Sequence, residues 1–204
     1  PLSSLATVSS TGRRVGELSL SVVGKHNLLN ALAAFTAASA LNMAEDKLFA
    51  GLKSFTGTRR RFELKGEVSG VKVIDDYGHH PTEIIATLTA AKNLAQSARV
   101  LVIFQPHRYS RTAAFSEQFS AALSNADFTF LLEVYAASEK PIPGVSSLMI
   151  ARNMDQSKVK FEPSMLEVVS EITKMAKSGD VIITLGAGDI SSLGEPILQS
   201  LADR

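Results

Sequence analysis

The hydrophobic residues of this chain recur with two periods that alternate along most of its length. Short apolar runs of strand length, such as VLVIF and VIITL, are separated by stretches in which apolar residues repeat at helical spacing. Strands that alternate with helices of about 10 to 15 residues are typical of βαβ units, and continuously apolar strands are expected where helices cover both faces of a sheet. The pattern therefore predicts an α/β fold with a mostly parallel sheet. The predicted strands are Gly70–Ile74, Val100–Phe104, Phe128–Val134, Val159–Phe161 and Val181–Leu185, and the predicted helices between and after them are Pro81–Leu94, Ala113–Asn125, Met165–Lys177 and Glu195–Leu201.

The first 55 residues have a different organisation. The segment from Pro1 to Gly24 predicts two short strands that have no obvious partners of their own. Amphipathic helical spacing follows over Asn27–Leu41, and a second short helix is predicted over Glu45–Ser54. These elements do not continue the regular alternation of the later residues.

A domain boundary is predicted near Thr56. The stretch FTGTRRRFE interrupts the helical pattern with Gly57 and three successive arginines. Residues 1–55 are interpreted as the C-terminal part of one domain, and residues 56–204 as a second, complete domain. The chain opens with Pro1 and not with an initiating methionine, so we expect a fragment of a longer protein.

Composition narrows the classes of protein that this chain can belong to. Its 204 residues are 45% hydrophobic and 20% charged, which is typical of a globular protein. There is no cysteine, which excludes a disulfide framework, a thiolate metal site and a cysteine nucleophile, and favours the cytoplasm. No apolar run approaches the ~20 residues of a membrane helix, and we expect neither export nor membrane insertion. A formal net charge of +1, with both signs interspersed, provides no general attraction for nucleic acid.

The side chains that titrate and stack are concentrated in four short stretches. All four histidines and all three tyrosines fall within GKHNLLN, DDYGHHP, FQPHRYSR and EVYAASE. Each stretch lies where an apolar run gives way to a polar turn. Because ligands of open parallel sheets bind beyond the carboxyl ends of the strands, the pattern predicts a small-molecule site.

The stretch DDYGHHP joins a predicted strand to a predicted helix. It places two carboxylates, a phenol and two imidazoles close together, whereas a helix cap needs only one such residue. The functional interpretation is that Asp75 or Asp76 takes the ribose hydroxyls of a nucleotide, while Tyr77 and a histidine reach the reacting substrate. The alternative is a structural turn capped by Asp and His. Gly78 is expected to supply a backbone conformation that other residues resist.

Arginines are prominent in two further stretches. FQPHRYSRT follows an apolar strand and presents Arg108 and Arg111 beside His107. Guanidinium groups form bidentate hydrogen bonds with carboxylates, so this pair predicts an anion clamp, with a solvated basic loop as the alternative. The three arginines of RRRFE, residues 59–61, are interpreted either as contacts to nucleotide phosphates or as solvated charges.

Two other motifs have both a functional and a structural interpretation. In GKHNLLN, Asn27 and Asn30 are spaced as in a capping box, but asparagine amides also match the hydrogen-bonding edge of adenine. GAGDI, which follows the strand VIITL, is either a glycine-rich ligand loop or a tight turn. Both alternatives stay open from the residues alone.

Three motifs that indicate phosphoryl transfer or hydrolysis do not occur in this sequence. There is no GxxxxGK[ST] phosphate loop, no GxSxG nucleophile elbow and no HExxH zinc helix. The residues present would therefore not drive such a transfer unaided.

Taken in order, GKHNLLNALAA, RRFE, DDYGHHPTEIIATL, FQPHRYSRT, EVYAASE and GAGDI resemble the Mur ligase family over nearly the whole chain. The resemblance is greatest to members that join L-alanine to UDP-N-acetylmuramate. DDYGHHPTEI together with FQPHRYSRT is its most specific part. Two positions depart from the usual pattern, since Gly78 replaces the common alanine and Ser138 the common glycine.

The resemblance implies a three-domain, ATP-dependent ligase of peptidoglycan synthesis. Residues 1–55 would belong to its central ATP-binding domain, and residues 56–204 would form its Rossmann-like C-terminal domain. The phosphate loop and the Mg²⁺ ligands would lie upstream of Pro1, so no metal ligand is assigned within this chain. The fragment alone is expected to be inactive as a ligase.

The resemblance also implies roles for individual residues. ATP would be contacted by His26, Asn27 and Asn30 at adenine, by Arg60 and Arg61 near the phosphates, and by Asp75 or Asp76 at the ribose. L-alanine would be surrounded by Tyr77, His79, His107, Arg108 and Arg111. The catalytic set would be Arg61, His79 and Arg111.

The implied chemistry has two steps. The lactyl carboxylate of UDP-N-acetylmuramate attacks the γ-phosphate of ATP, and the alanine amine then displaces phosphate from the acyl phosphate. A nearby histidine would help to accept the ammonium proton, and the sequence does not say which one. Two other hypotheses are a free-standing nucleotide-binding module and a murein peptide recycling ligase of the same family.

Overall fold

The computed structural model describes residues 3–204, which form two compact units. The first unit ends at Arg59, and the second comprises Arg60–Arg204. The assignment of residues 1–55 and 56–204 to two domains of a larger enzyme stays a prediction. Within the described part of the chain, no helix combines the length and the apolar character that crossing a bilayer requires.

The first unit consists of a two-stranded sheet and two helices that pack on it. Strands β1 (Ser4–Ser10) and β2 (Arg13–Leu20) pair antiparallel with each other, so the expectation that they lack partners of their own is wrong. Helices α1 (Lys25–Ala40) and α2 (Glu45–Ser54) follow. The small core of this unit is formed by Val8, Leu18, Leu20, Ala31, Phe35 and Leu48.

Helix α1 begins two residues earlier than predicted, and no asparagine caps it. Gly24 is the N-cap residue, with φ 107°, in the left-handed region that favours glycine. Asn27 lies in the first helical turn, where its Nδ2 donates to Val23 O at 2.8 Å. Of the two interpretations left open for this motif, capping by Asn27 and Asn30 is therefore wrong, because the turn at Gly24 has already started the helix.

The second unit contains a six-stranded sheet flanked by helices. Its strands are β3 (Glu63–Val68), β4 (Val71–Asp76), β5 (Val100–Phe104), β6 (Phe128–Leu131), β7 (Val159–Phe161) and β8 (Val181–Leu185). Its helices are α3 (Pro81–Ala95), α4 (Tyr109–Leu123), α5 (Leu148–Ala151), α6 (Met165–Met175), the 3₁₀ helix η1 (Asp189–Leu193) and α7 (Gly194–Ala202). The strand order is β3-β4-β8-β5-β6-β7. β3 runs antiparallel to β4, and all other neighbours are parallel.

Helices cover both faces of this sheet. Helices α3, α4 and α5 pack on one face in a core that includes Leu88 and Phe119, and α6, η1 and α7 pack on the other face with Ile172 and Ile197. Burial of each such side chain contributes about 1.5–3 kcal/mol. The prediction of an α/β, Rossmann-like, mostly parallel sheet with helices on both faces is confirmed.

Several element bounds differ from the prediction at polar positions. β5, β7 and β8 have the predicted bounds, but β4 continues past Ile74 to Asp76, and β6 ends at Leu131. Helix α4 begins at Tyr109 and not at Ala113. The edge strand β3 was not predicted, because its sequence ELKGEV contains only two large apolar residues and is irregular near Gly66.

Candidate functional site

The carboxyl ends of β4, β8, β5 and β6 and the amino end of β3 meet at one edge of the sheet, which we call the rim. The rim comprises residues 60–62, 75–80, 105–111, 133–139 and 186–189. Backbone hydrogen bonds continue past the strand ends: Gln105 N donates to Leu185 O at 3.0 Å, and Tyr135 N donates to Pro106 O at 2.8 Å. The polar stretches that the sequence placed after strands are therefore neighbours in space.

Asp75 lies at the base of the rim and is almost completely buried, with 1% of its surface exposed. Thr184 Oγ1 donates to its Oδ1 at 2.7 Å. Arg60 Nε lies 3.3 Å from its Oδ2, in an ion pair without hydrogen-bond alignment. Arg60 also donates from Nη2 to Gly186 O. Asp75 is thus paired with Arg60 and buried beneath the rim.

Asp76 holds the turn that follows β4. Its Oδ1 accepts from Gly78 N at 2.7 Å and its Oδ2 accepts from Phe62 N at 2.8 Å. Burial raises the pKa of Asp76, although these two hydrogen bonds and one with Thr87 oppose the shift. Both Asp76 oxygens thus hold the backbone of a buried turn, and this arrangement gives no direct support to the predicted ribose contacts of Asp75 and Asp76, which stay a prediction.

Gly78 is needed for close approach and not for an unusual backbone conformation. Its φ lies outside the left-handed region, so the expectation of a special backbone conformation is wrong. A Cβ at this position would lie 2.8 Å from Asp76 Oδ1 and 3.2 Å from Leu185 Cδ1. The absence of a side chain therefore lets the Asp76 carboxylate reach the amide of Gly78.

Arg60 and Arg61 lie against the ring of Tyr77. Their Cζ atoms are 4.8 Å and 5.6 Å from the ring centroid, within the range of cation–π attraction. Tyr77 N donates to Arg60 O at 2.7 Å. Arg61 is exposed and its Nη1 lies 3.7 Å from Glu83 Oε1. Arg61 can therefore meet an anion, whereas Arg60 is engaged by the buried base of the rim.

His79 and His80 occupy different environments at the start of α3. His79 Nδ1 lies 2.9 Å from Tyr77 O, and Glu83 Oε2 accepts from the amides of His79 and His80 at 3.0 Å and 3.1 Å. His80 is the N-cap residue, its ring bonded to Thr82. Pro81 follows as the first residue of α3, and Glu83 lies in its first turn. The site histidine of this pair is His79.

His107, Arg111 and Tyr135 form the opposite wall of the rim. The His107 ring lies 5.8 Å from the His79 ring and stacks on Tyr135 at 5.6 Å between centroids. Arg111 Nη1 lies 3.4 Å from His107 Nδ1. Arg108 is exposed, and its amide donates to Tyr135 O at 2.8 Å. The structure thus brings together the side chains that were predicted to surround an amino acid.

Charge and burial keep His107 neutral. Burial lowers the pKa of His107, and the positive charges of Arg111 and Arg108 lower it further, as does His79. Since the unperturbed pKa of histidine is about 6.5, His107 carries no charge at neutral pH. The wall therefore presents cationic guanidinium groups beside an uncharged imidazole.

Tyr135 and Gln105 are rim residues to which sequence reasoning assigned no role. Gln105 Nε2 donates to Asp189 Oδ1 at 2.8 Å, which ties the GAGDI loop to the loop after β5. A Cβ at Gly188 would lie 2.8 Å from Tyr135 Cγ, so GAGDI is a loop against which Tyr135 packs. Tyr135 could have been predicted from its position beyond an apolar strand, because the rule that ligands bind beyond strand ends had already indicated His107.

The backbone of the loop after Tyr135 explains why glycine is common in the family at the position of Ser138. Ser138 has φ 70° and Ala137 has φ 48°, in the left-handed region that favours glycine. A glycine at position 138 would adopt this conformation at lower cost. Glu139 then accepts from Ser110 N at 2.9 Å and from Ser110 Oγ at 2.6 Å, which fastens the loop to α4.

The three residues predicted to contact adenine lie in the first unit. His26 and Asn30 are exposed on α1, and Asn27 is half-buried. Asn27 Nδ2 donates one hydrogen bond to Val23 O, which leaves its second N–H and its amide oxygen for a ligand. The adenine contacts of His26, Asn27 and Asn30 stay a prediction.

The residues of this chain do not form a recognisable site for Mg²⁺. Across residues 3–204, no group of three or more histidine and carboxylate side chains is arranged to hold a metal ion. The rim itself combines buried carboxylates with several guanidinium groups, a donor set that does not suit a divalent cation. No chemical step is therefore assigned to a metal held by these residues.

The comparisons with known proteins first identify the protein family. A family model described as Mur ligase, glutamate ligase domain, matches residues 60–188. The chain belongs to the Mur ligase family, and the resemblance noted from its motifs is confirmed.

Individual relatives are then specific about the kind of ligase. The chain is 47% identical to the UDP-N-acetylmuramate–L-alanine ligase of Renibacterium salmoninarum, over 91% of this chain and 39% of that protein. It is similar to the crystal structure of the UDP-N-acetylmuramate-alanine ligase of Thermotoga maritima, with a TM-score of 0.82 at 30% identity, over 97% of this chain and 43% of that one. The murein peptide ligase of Psychrobacter arcticus 273-4 matches with a TM-score of 0.69 at 27% identity, over 93% of this chain and 39% of that one. The chain thus spans about two fifths of the length of these relatives.

Proposed function

We propose that this chain forms the amino-acid-binding part of an ATP-dependent ligase that joins L-alanine to UDP-N-acetylmuramate in peptidoglycan synthesis. The observation that carries the proposal is the convergence of His79, His107 and Arg111 on one rim. The printed functions of the Renibacterium and Thermotoga relatives support it. By their lengths, the ATP-energising parts of such an enzyme would lie outside this chain.

Arg111 is the proposed anchor for the alanine carboxylate. Among residues 3–204, no carboxylate forms an ion pair with Arg111, whose guanidinium contacts the neutral His107. A guanidinium fork matches the two oxygens of a carboxylate. Arg108, exposed on the same loop, is proposed to supply a second positive charge, and Tyr77 and His79 to face the amino acid from the opposite wall.

The rim would act mainly by positioning. ATP supplies the phosphoryl group that converts the lactyl carboxylate into an acyl phosphate, with Arg61 proposed near the phosphates. The alanine nitrogen then attacks the acyl carbon, and phosphate leaves with the electrons of the broken C–O bond. An amine held at attack distance by its own carboxylate gains up to about 7–11 kcal/mol over the bimolecular reaction.

The remaining assignments follow from the same proposal. Contacts of His26, Asn27 and Asn30 with adenine, the requirement for Mg²⁺ and a cytoplasmic location are proposed by analogy with the family. Arg60, Asp75 and Asp76 are proposed to position the rim and not to bind ATP directly, because both carboxylates are buried and hydrogen-bonded within the protein and Arg60 donates to Gly186 O.

Replacement of Arg111 by lysine tests the proposal in a full-length ligase that contains this chain. Lysine keeps the charge but cannot form the fork. Loss of hydrogen bonds to a charged group costs about 1.5–3 kcal/mol, so the KM for alanine should rise about 10- to 150-fold while the KM for ATP stays within about twofold. Arg152→Lys, at an exposed position outside the rim, is the matched control. Unchanged alanine kinetics in Arg111→Lys would contradict the proposal.

A second candidate is a murein peptide ligase, which the Psychrobacter structure favours. It predicts that a preformed peptide and not free alanine is joined to UDP-N-acetylmuramate. Parallel assays of the full-length enzyme with L-alanine and with a muropeptide tripeptide separate the two. A preference for the tripeptide would replace the first proposal with the second.

A further inference from the structure

The two histidines of the rim have opposite partners at the same ring nitrogen. His79 Nδ1 lies 2.9 Å from Tyr77 O, and a carbonyl oxygen only accepts hydrogen bonds, so this Nδ1 carries the proton. His107 Nδ1 lies 3.4 Å from Arg111 Nη1, and a guanidinium only donates, so this Nδ1 is an acceptor. In the neutral rings, the lone pair is therefore on Nε2 of His79, while Nε2 of His107 carries hydrogen.

Glu83 reinforces the orientation of His79. Its Oε2 accepts from the His79 amide at 3.0 Å and lies 3.5 Å from His79 Nδ1. Burial favours its neutral form, but the hydrogen bond from the His79 amide, the electrostatic interaction with the His79 ring, the His80 amide and Arg61 together lower the pKa of Glu83. The carboxylate is therefore ionised at neutral pH and lies on the same side of the ring as the Nδ1 proton.

We infer that His79 Nε2 accepts the proton of the incoming amino group, that Glu83 is the positioning residue for His79, and that His107 is a hydrogen-bond donor and not a base. The inference rests on the proposed function. One ammonium N–H bond breaks, its proton goes to His79 Nε2, and the freed lone pair forms the bond to the acyl carbon. As the C–O bond breaks, the departing phosphate takes the second proton from the nitrogen, which leaves the neutral amide.

The charges around each ring favour this division of roles. The groups that face His79 are the carboxylate of Glu83 on α3, the ring of Tyr77 and the neutral ring of His107. A proton accepted by the His79 ring would therefore lie beside the carboxylate of Glu83. A proton on His107 would instead face Arg111 and Arg108, whose charges oppose it.

The arrangement also matches the chemical class of the substrate. An α-amino acid has its amine and its carboxylate on a single carbon, and in the rim the proton acceptor His79 and the carboxylate anchor Arg111 are both neighbours of His107. His79 and His107 are 5.8 Å apart between ring centroids, and His107 contacts Arg111. Amino acids with a longer spacing between amine and carboxylate would not engage both groups equally well.

The tautomers can be measured directly in the 204-residue chain. Long-range ¹H–¹⁵N NMR correlations at pH 8 distinguish a ring protonated at Nδ1 from one protonated at Nε2. We expect the Nδ1–H form for His79 and the Nε2–H form for His107, with resonances assigned from His79→Asn and His107→Asn. A dominant Nε2–H form at His79 would overturn the inference whatever the enzyme does.

Kinetics in the full-length ligase test the role itself. Asparagine in place of His79 can still donate as Nδ1–H does but has no basic nitrogen, so kcat should fall about 10²- to 10⁴-fold with little change in the KM for alanine. Because solution base then has to remove the proton, the rate of His79→Asn should rise about tenfold per pH unit above neutrality. Glu83→Gln should lower kcat by a smaller factor.

His107→Asn is the matched control, and it should raise the KM for alanine with kcat within about tenfold. Equal kcat losses for His79→Asn and His107→Asn, or a pH-independent rate in His79→Asn, would refute the base assignment while leaving the alanine proposal intact. If His79→Asn loses its native NMR spectrum, His79→Gln serves as the second variant. A full-length enzyme that does not use alanine would refute the proposed function, whereas the NMR result for the tautomers would be unaffected.

Discussion

Replacement of Asp76 by asparagine tests whether one buried carboxylate holds the rim together. The wild-type side chain accepts from two backbone amides, those of Phe62 and Gly78, at 2.8 Å and 2.7 Å. An asparagine has one acceptor oxygen and presents an NH₂ group to the other amide, so one buried N–H is left unpaired. Such a loss costs about 1–3 kcal/mol.

The expected change is large enough to measure in two ways. For a chain of this size, about 1–3 kcal/mol corresponds to a fall in Tm of roughly 2–12 °C. Since the chain has two compact units, hydrogen exchange gives the more local measurement. Protection of the Phe62 or Gly78 amide should fall by about 5- to 150-fold in Asp76→Asn, as 1.4 kcal/mol is a factor of ten.

The control is Asp203→Asn, an exposed aspartate that accepts only from Gln199. Its exchange rates and Tm should match those of the wild type. If Asp76→Asn also leaves both amides and the Tm unchanged, the two hydrogen bonds do not stabilise the rim and the reasoning fails.

Two further predictions concern stability. Asp180 is buried, but its bonds with Arg99 and neighbouring amides outweigh the burial and lower its pKa. Asp180→Asn should therefore lower the free energy of unfolding in urea by about 1–3 kcal/mol at pH 5 to 7. Because the folded-state pKa of Asp180 lies below the usual 3.8, the difference from the wild type should decrease as the pH falls below 3.8 and disappear once it falls through the folded-state pKa. Equal losses at pH 7 and pH 2 would contradict it. Gly188→Ala should cost about 1–3 kcal/mol by displacing Tyr135, whereas Gly51→Ala, in an open position on α2, should be neutral or stabilising by up to about 1 kcal/mol; similar unfolding midpoints for both variants would refute the packing argument.

The sheet could be predicted where burial leaves a simple pattern. β5 and β8 are buried along their whole length, so an apolar run marks each end of the strand. β4 was predicted too short because its last two residues, Asp75 and Asp76, are polar. Their partners Thr184 and Phe62 lie 109 and 14 residues away in sequence, and a local pattern does not contain that information.

The position of the site could be predicted from the sequence more easily than the chemical roles of its individual residues. The rule that ligands bind beyond strand ends predicted from the sequence that His79, His107 and Arg111 lie in one site. It could not show that Asp75 and Asp76 are engaged by the protein itself, because that depends on non-local donors. The difference between the two histidines likewise depends on one carbonyl and one guanidinium, and no spacing in the sequence specifies which ring nitrogen each partner meets.

The continuation of backbone pairing beyond the strand ends has a consequence for how such a binding surface can change. Loops joined by bonds such as Tyr135 N to Pro106 O and Gln105 N to Leu185 O need little ordering when a ligand arrives, so little conformational entropy is lost on binding. Insertions in these loops would break the pairing and cost stability. We therefore expect related enzymes to acquire new amino-acid preferences by exchanging individual side chains on a fixed framework and not by lengthening the loops.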